Sequence, residues 1–239
     1  MPPIGGLYSL LPIRRFHLLI TMTVSISAPV VDVLAEFTGG TSSEYSMMIG
    51  VGLQKDSDAV FFRYMDDGTP EALLNRANGK PIQTFKGVRV VELSIAEAVG
   101  TFKATKLNMI IEGTEGTKVL ITSGLTTMWS QAVVTALSGM MASTQYDMST
   151  VFTLWSKKGD QGLRPCFANI YIDGERISDN KMYEDLRDAR SNRDTMLQER
   201  IMRDAIEIIS AEISGVPTEV SVLTELRALP SEVTTEEEF

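Results

Sequence analysis

The stretch KLNMIIEGTEGTKVLITS, residues 106–123, constrains the fold more than any other. Two apolar, β-branched runs flank GTEG, a turn with glycine at each end. Branched side chains favour extended backbone because they pack well on a pleated surface. Glycine supplies the positive φ that a tight reversal needs. The stretch therefore predicts a hairpin, and a hairpin fixes antiparallel pairing. Other segments carry the same pattern: YSMMIGVGL (45–53) and AVFFRYM (59–65) around QKDSD, and IQTFKGVRVVEL (82–93). TVFTLWS (150–156) and CFANIYIDGERI (166–177) add two strands joined by the polar loop KKGDQGLRP. PVVDVLAEF (29–37) fits a short strand or a helix equally well.

Helical spacing enters later. Trp129, Val133, Ala136, Leu137 and Met140 recur three and four apart, predicting a helix over about 127–142 capped by Thr126 or Thr127. A longer stripe runs through Met182, Leu186, Ala189, Leu197, Ile201, Ala205, Ile208 and Ile209, predicting one helix from Asp179 to about Ser214 that ends at ISGVP. Its polar part, 183–195, is expected to project beyond the body. A third, short helix is expected after Thr69 as cap and Pro70 at the first helical position. Strands outnumber helices and neighbours look hairpin-linked. The expected class is α+β, with a mainly antiparallel β-sheet core, a mid-chain helix and a long C-terminal helix.

Charge divides the 239 residues unevenly. Residues 216–239 hold six glutamates and one arginine, a net of −5, which leaves −4 of the total −9 to everything before them. Three parts are expected: residues 1–28 as an N-terminal extension outside the fold, 29–215 as a single α+β domain, and 216–239 as a flexible acidic tail. RRFHLLITMTVSISA could also be read as an export signal, and Met22 as an alternative start. No run approaches the ~18 apolar residues that span a bilayer, so no membrane partner is expected. Cys166 is the single cysteine, which fits a reducing compartment and a cytoplasmic location, the host cytoplasm if the protein is viral. His17 is the single histidine, which removes most Ser-His, Cys-His and His-metal chemistry.

Catalytic signals are weak throughout. GTEGTK precedes a strand and does not fit a phosphate loop. Asp173, Glu175 and Lys181 are too loosely spaced for a metal-dependent site, and Cys166 lacks a partner base. We expect no catalytic residue, no metal and no cofactor. Binding signals are better. Single-strand surfaces need cations for phosphates and rings for bases. Four clusters offer both: Phe62, Arg63 and Tyr64; Lys86 and Arg89 beside Phe85; Lys103 and Lys106 beside Phe102; and Trp155, Lys157, Lys158 and Arg164. Each has a plain alternative, with rings in a core and lysines solvated at loop ends. A nearly neutral body argues against strong duplex binding, which needs phosphate neutralisation.

The chain ends EEEF, with Glu236, Glu237 and Glu238 before Phe239. This resembles the ending of bacterial and phage single-stranded DNA-binding proteins, an acidic flexible tail closed by an aromatic residue. The resemblance covers about ten residues; the order of elements is also similar to the Whirly type of single-strand binder, with fewer strands in its second half. It implies single-stranded DNA binding in replication or recombination, partner replication or repair proteins recruited through Glu236–Phe239, and competition of the tail with DNA. A homo-oligomer is expected. Two rivals stay open: a virion or scaffold protein assembling through the mixed-charge long helix, and an enzyme with dispersed carboxylates such as Asp173 or Glu112.

Overall fold

The computed structural model describes residues 45–54, 56–65, 67–100, 103–160 and 164–215. Among them, nine strands and three helices follow in the order β1 (Met47–Val51), β2 (Phe61–Tyr64), β3 (Pro70–Ala72), β4 (Thr84–Val99), β5 (Ala104–Glu112), β6 (Lys118–Gly124), α1 (Met128–Met141), β7 (Phe152–Lys158), β8 (Cys166–Ile172), β9 (Glu175–Ile177), α2 (Asn180–Ser191) and α3 (Thr195–Ser214). The fold is α+β. One sheet runs β3-β2-β1-β6-β5-β4-β7-β8-β9, antiparallel throughout except for the β1–β6 pair, where Ile49 lies beside Ile121. The expected GTEG hairpin joins β5 to β6, with Met109 opposite Ile121.

β4 makes the sheet turn. Its first residues pair with β7 and the rest with β5, and the register slips between Phe85 and Val88 and again between Val90 and Glu92. Each slip inserts unpaired backbone and raises local twist, and Gly87 adopts φ +64° there. The bend brings distant strands together. The Lys158 ammonium on β7 donates to the carbonyls of Gln54 and Ser57 in the β1–β2 loop, and Arg164 pairs with Asp58. Between the two arms lies the core. Phe61 meets Phe85 edge-on at 5.0 Å and Trp129 at 6.3 Å, and the Trp129 indole N–H donates to the Ser156 hydroxyl at 3.0 Å. α1 is capped by Thr127, whose hydroxyl accepts from the Ser130 N–H.

Four expectations are corrected. Thr69 does not cap a helix: Asp67 Oδ1 accepts from the Thr69 N–H at 2.9 Å and from its hydroxyl, closing an Asx turn. Pro70–Ala72 then pairs with β2 as an edge strand, where the missing N–H of proline costs nothing. CFANIYIDGERI is a hairpin, not one strand. Asp173 and Gly174 take φ of 50° and 86°, the paired positive values of a primed two-residue turn. The long helix is two helices. Asn192 to Asp194 interrupts it, Arg193 takes φ 56°, and Asp194 Oδ1 caps α3 by accepting from the Leu197 N–H at 2.8 Å. Nor does the polar part project. Met182, Leu186 and Ala189 are buried, and α2 packs on α1. No described helix is long and apolar enough to cross a membrane.

Candidate functional site

The β7–β8 ladder sets the site. Phe152, Leu154, Ser156 and Lys158 turn inward, so Trp155 and Lys157 face the other way. Register places Trp155 opposite Asn169 and Lys157 opposite Phe167, four side chains on one face. β9 pairs only with Ile170–Ile172, so the Cys166–Asn169 edge has no strand beside it among the described residues. α2 faces those residues across a cavity instead. It is aimed there by the N-cap Asp179, whose carboxylate accepts from the Met182 N–H at 3.0 Å and from the Ser138 hydroxyl at 2.8 Å. A cavity of about 340 Å³ results, walled by Trp155, Phe167 and Tyr183, with Lys157, Arg176 and Arg190 around it. Phe167 is 36% and Tyr183 50% exposed, so both rings offer surface.

A second cavity of about 390 Å³ adjoins the first and shares Met128 and Arg190 with it. Its walls include Gly52, Thr127, Arg164, Pro165 and Gln198. Among the described residues, no carboxylate lines either cavity. The wall between them is organised. Arg190 donates to Gln131 Oε1, while Gln131 Nε2 donates to Gln198 Oε1 and to the Thr126 carbonyl, both at 3.0 Å. Arg176 and Arg190 have no acidic partner among the described residues. Lys157 pairs with Asp160 at 3.1 Å and Arg164 with Asp58. The Arg164 guanidinium holds the Asp58 carboxyl below its ordinary range. Both acids lie in solvent, which screens such pairs and keeps them weak. Burial pushes the Cys166 thiol up and the Lys158 ammonium down; a raised thiol is a poor nucleophile.

Three of the eleven expected residues meet in this groove: Trp155, Lys157 and Arg164. Two have no surface to offer. Phe62 is fully buried, because the start of β2 is covered on both faces: Phe61 beside it is buried too, and a Cβ at its pair partner Gly50 would already lie 2.6 Å from Leu53 Cδ1 and 3.2 Å from the Tyr64 hydroxyl oxygen. Lys158 is 4% exposed and spends its ammonium on two carbonyls. The others lie elsewhere on the sheet. Arg63 pairs with Glu71 across β2–β3 beside half-buried Tyr64, and Arg89 pairs with Glu112 across β4–β5. Lys86 is exposed on β4, Lys103 sits in the β4–β5 turn at φ 47°, and Lys106 is half-buried opposite Gly124. Glu236–Phe239 lie outside the described residues.

Sequence spacing missed Phe167, Arg176, Tyr183, Arg190 and Gln131. For α2 the signal existed: Tyr183, Leu186 and Arg190 fall three and four apart, one stripe facing the groove. Phe167 becomes a neighbour of Lys157 only once the hairpin register is known. Among the described residues, no three of His, Cys, Asp and Glu converge as a metal site. Asp173, in the β8–β9 turn, and Glu112, on β5, lie on strands three places apart in the sheet. Comparison with protein-family models, with curated proteins and with solved structures found no match.

Proposed function

We propose that this groove binds single-stranded nucleic acid, DNA in a replication or recombination setting, without catalysing a reaction on it. One observation carries the assignment: in a chain of net charge −9, three accessible rings and three cations line the first cavity, and no carboxylate does among the described residues. Rings take unpaired bases by stacking, which every base allows, and the guanidinium and ammonium groups take phosphates. A duplex hides its base faces and gains little from so few cations. Binding of a fluorescent oligo-dT, compared with a matching duplex across a salt series, tests this. Single strands are expected to bind more tightly, with affinity falling as salt rises; equal affinity for both, or none for either, refutes it.

The acidic segment 216–239 has a place in the same proposal. Its glutamates repel phosphate, so deleting residues 230–239 is expected to raise oligo-dT affinity, most at low salt. The cytoplasmic location, the replication or repair partners and self-association belong to it as well. The scaffold alternative retains one observation: Met196, at the start of α3, is 83% exposed beside Leu197 at 38%. If that patch joins copies, Met196→Glu lowers the sedimenting mass; an unchanged mass removes the alternative.

A further inference from the structure

We propose that the groove is a two-nucleotide site, one nucleotide per cavity, with the Arg190 guanidinium on the phosphate between them, an assignment that rests on the single-strand reading above. The cavities, about 340 and 390 Å³, each sit at the lower end of the ~300–1,000 Å³ that small-molecule sites occupy. Each therefore suits a ligand about the size of one nucleotide. They share Arg190 as a common wall. Arg190 is also oriented: Gln131 accepts from it and is itself tied to Gln198 and the Thr126 carbonyl. A guanidinium carries five N–H donors in one plane, so one used on Gln131 leaves the rest for phosphate oxygens.

The two compartments differ. Trp155, Phe167 and Tyr183 all belong to the first, which makes it the place where a base stacks. The second is lined by Thr126, Thr127 and Arg164, polar groups suited to a sugar and a phosphate. On the hairpin side the site stops. Asp58 and Asp160 stand beside Arg164 and Lys157, 84% and 78% exposed, and a strand running on past them meets negative charge.

Affinity against length tests the count. Thymidine monophosphate and oligo-dT from two to ten nucleotides are titrated into the full chain at low salt. The expected result is a gain of roughly tenfold or more from one nucleotide to two, then a change within about threefold up to ten, once the number of possible registers is allowed for. A steady climb to ten overturns the two-nucleotide site and leaves single-strand binding standing; no binding at any length overturns both. Arg190→Ala is expected to erase the step from one nucleotide to two, weakening the dinucleotide by a larger factor than the monophosphate. Equal losses at both lengths place Arg190 elsewhere. Should Arg190→Ala fail to fold by circular dichroism, Arg190→Lys, which keeps the charge and loses the fork, is expected to shrink the step; an intact step overturns the assignment.

Discussion

Phe62 and Phe167 carry the same ring into opposite circumstances, and the difference sets what each substitution does. Phe167 is partly exposed over the groove, so Phe167→Ala is expected to weaken oligo-dT binding by ~1–3 kcal/mol, with an unchanged circular dichroism spectrum. Phe62 has no exposed surface, so Phe62→Ala is expected to cost ~3–5 kcal/mol of stability in urea unfolding. Replacing Lys158 by Met leaves the Gln54 and Ser57 carbonyls without their donor, an expected loss of ~1–3 kcal/mol in the same assay. The sequence showed Trp155, Lys157 and Arg164 as neighbours because they are close along the chain. It hid the fate of Phe62 because alternation along a strand implies one wet face, and here Ala59, Val60, Phe61 and Phe62 are all fully buried.

At the scale of elements, α2 is held to α1 by a close backbone approach. A Cβ on Gly139 would lie 2.6 Å from the Ser178 carbonyl carbon and 2.8 Å from the Asp179 nitrogen, and that nitrogen already donates to the Thr135 carbonyl at 3.0 Å. Backbone cannot swing aside as a side chain can. Gly139→Ala is therefore expected to destabilise the fold by ~1–3 kcal/mol in urea unfolding, and to loosen the groove that α2 walls. The break between α2 and α3 gives a change of opposite sign. Arg193 sits at φ 56°, where a non-glycine residue costs ~1 kcal/mol or more, so Arg193→Gly is expected to raise stability by up to that amount. The local turn chemistry was present in the sequence as SNRD and as DG. It was masked in one case by an apolar stripe that continues in phase across the break, and in the other by apolar residues on both sides of the turn.

For the whole molecule, local pattern predicted the α+β class, the β5–β6 hairpin and α1 to within a residue at each end. It could not predict the β1–β6 parallel pair, the bend of β4 or the meeting of Lys158 with the β1–β2 loop. Those depend on residues about 70 to 100 positions apart, whose pairing is decided by burial rather than propensity. Other contacts, two of them long-range and one local, set acid sensitivity. The Arg164 guanidinium lowers Asp58, the Arg203 guanidinium lowers Glu97, and the Ser149 hydroxyl lowers Asp147. A carboxyl lowered on folding contributes stability above its unfolded value near 4, and that contribution disappears as pH falls through the folded value. Urea midpoints are expected to be flat around neutrality and to drop below about pH 4. Salt should lessen the effect, since these groups lie in solvent.

Two tryptophans make the central assignment directly measurable. Trp129 is 1% exposed and hydrogen-bonded to Ser156 at the wall of the second cavity, whereas Trp155 lines the first, where the rings are. Oligo-dT titrated at low salt is predicted to quench the emission saturably, less so as salt is added, and to quench that of Trp155→Phe far less. Emission that stays constant in the wild-type chain at saturating oligonucleotide, or that falls equally in Trp155→Phe, contradicts single-strand binding in this groove.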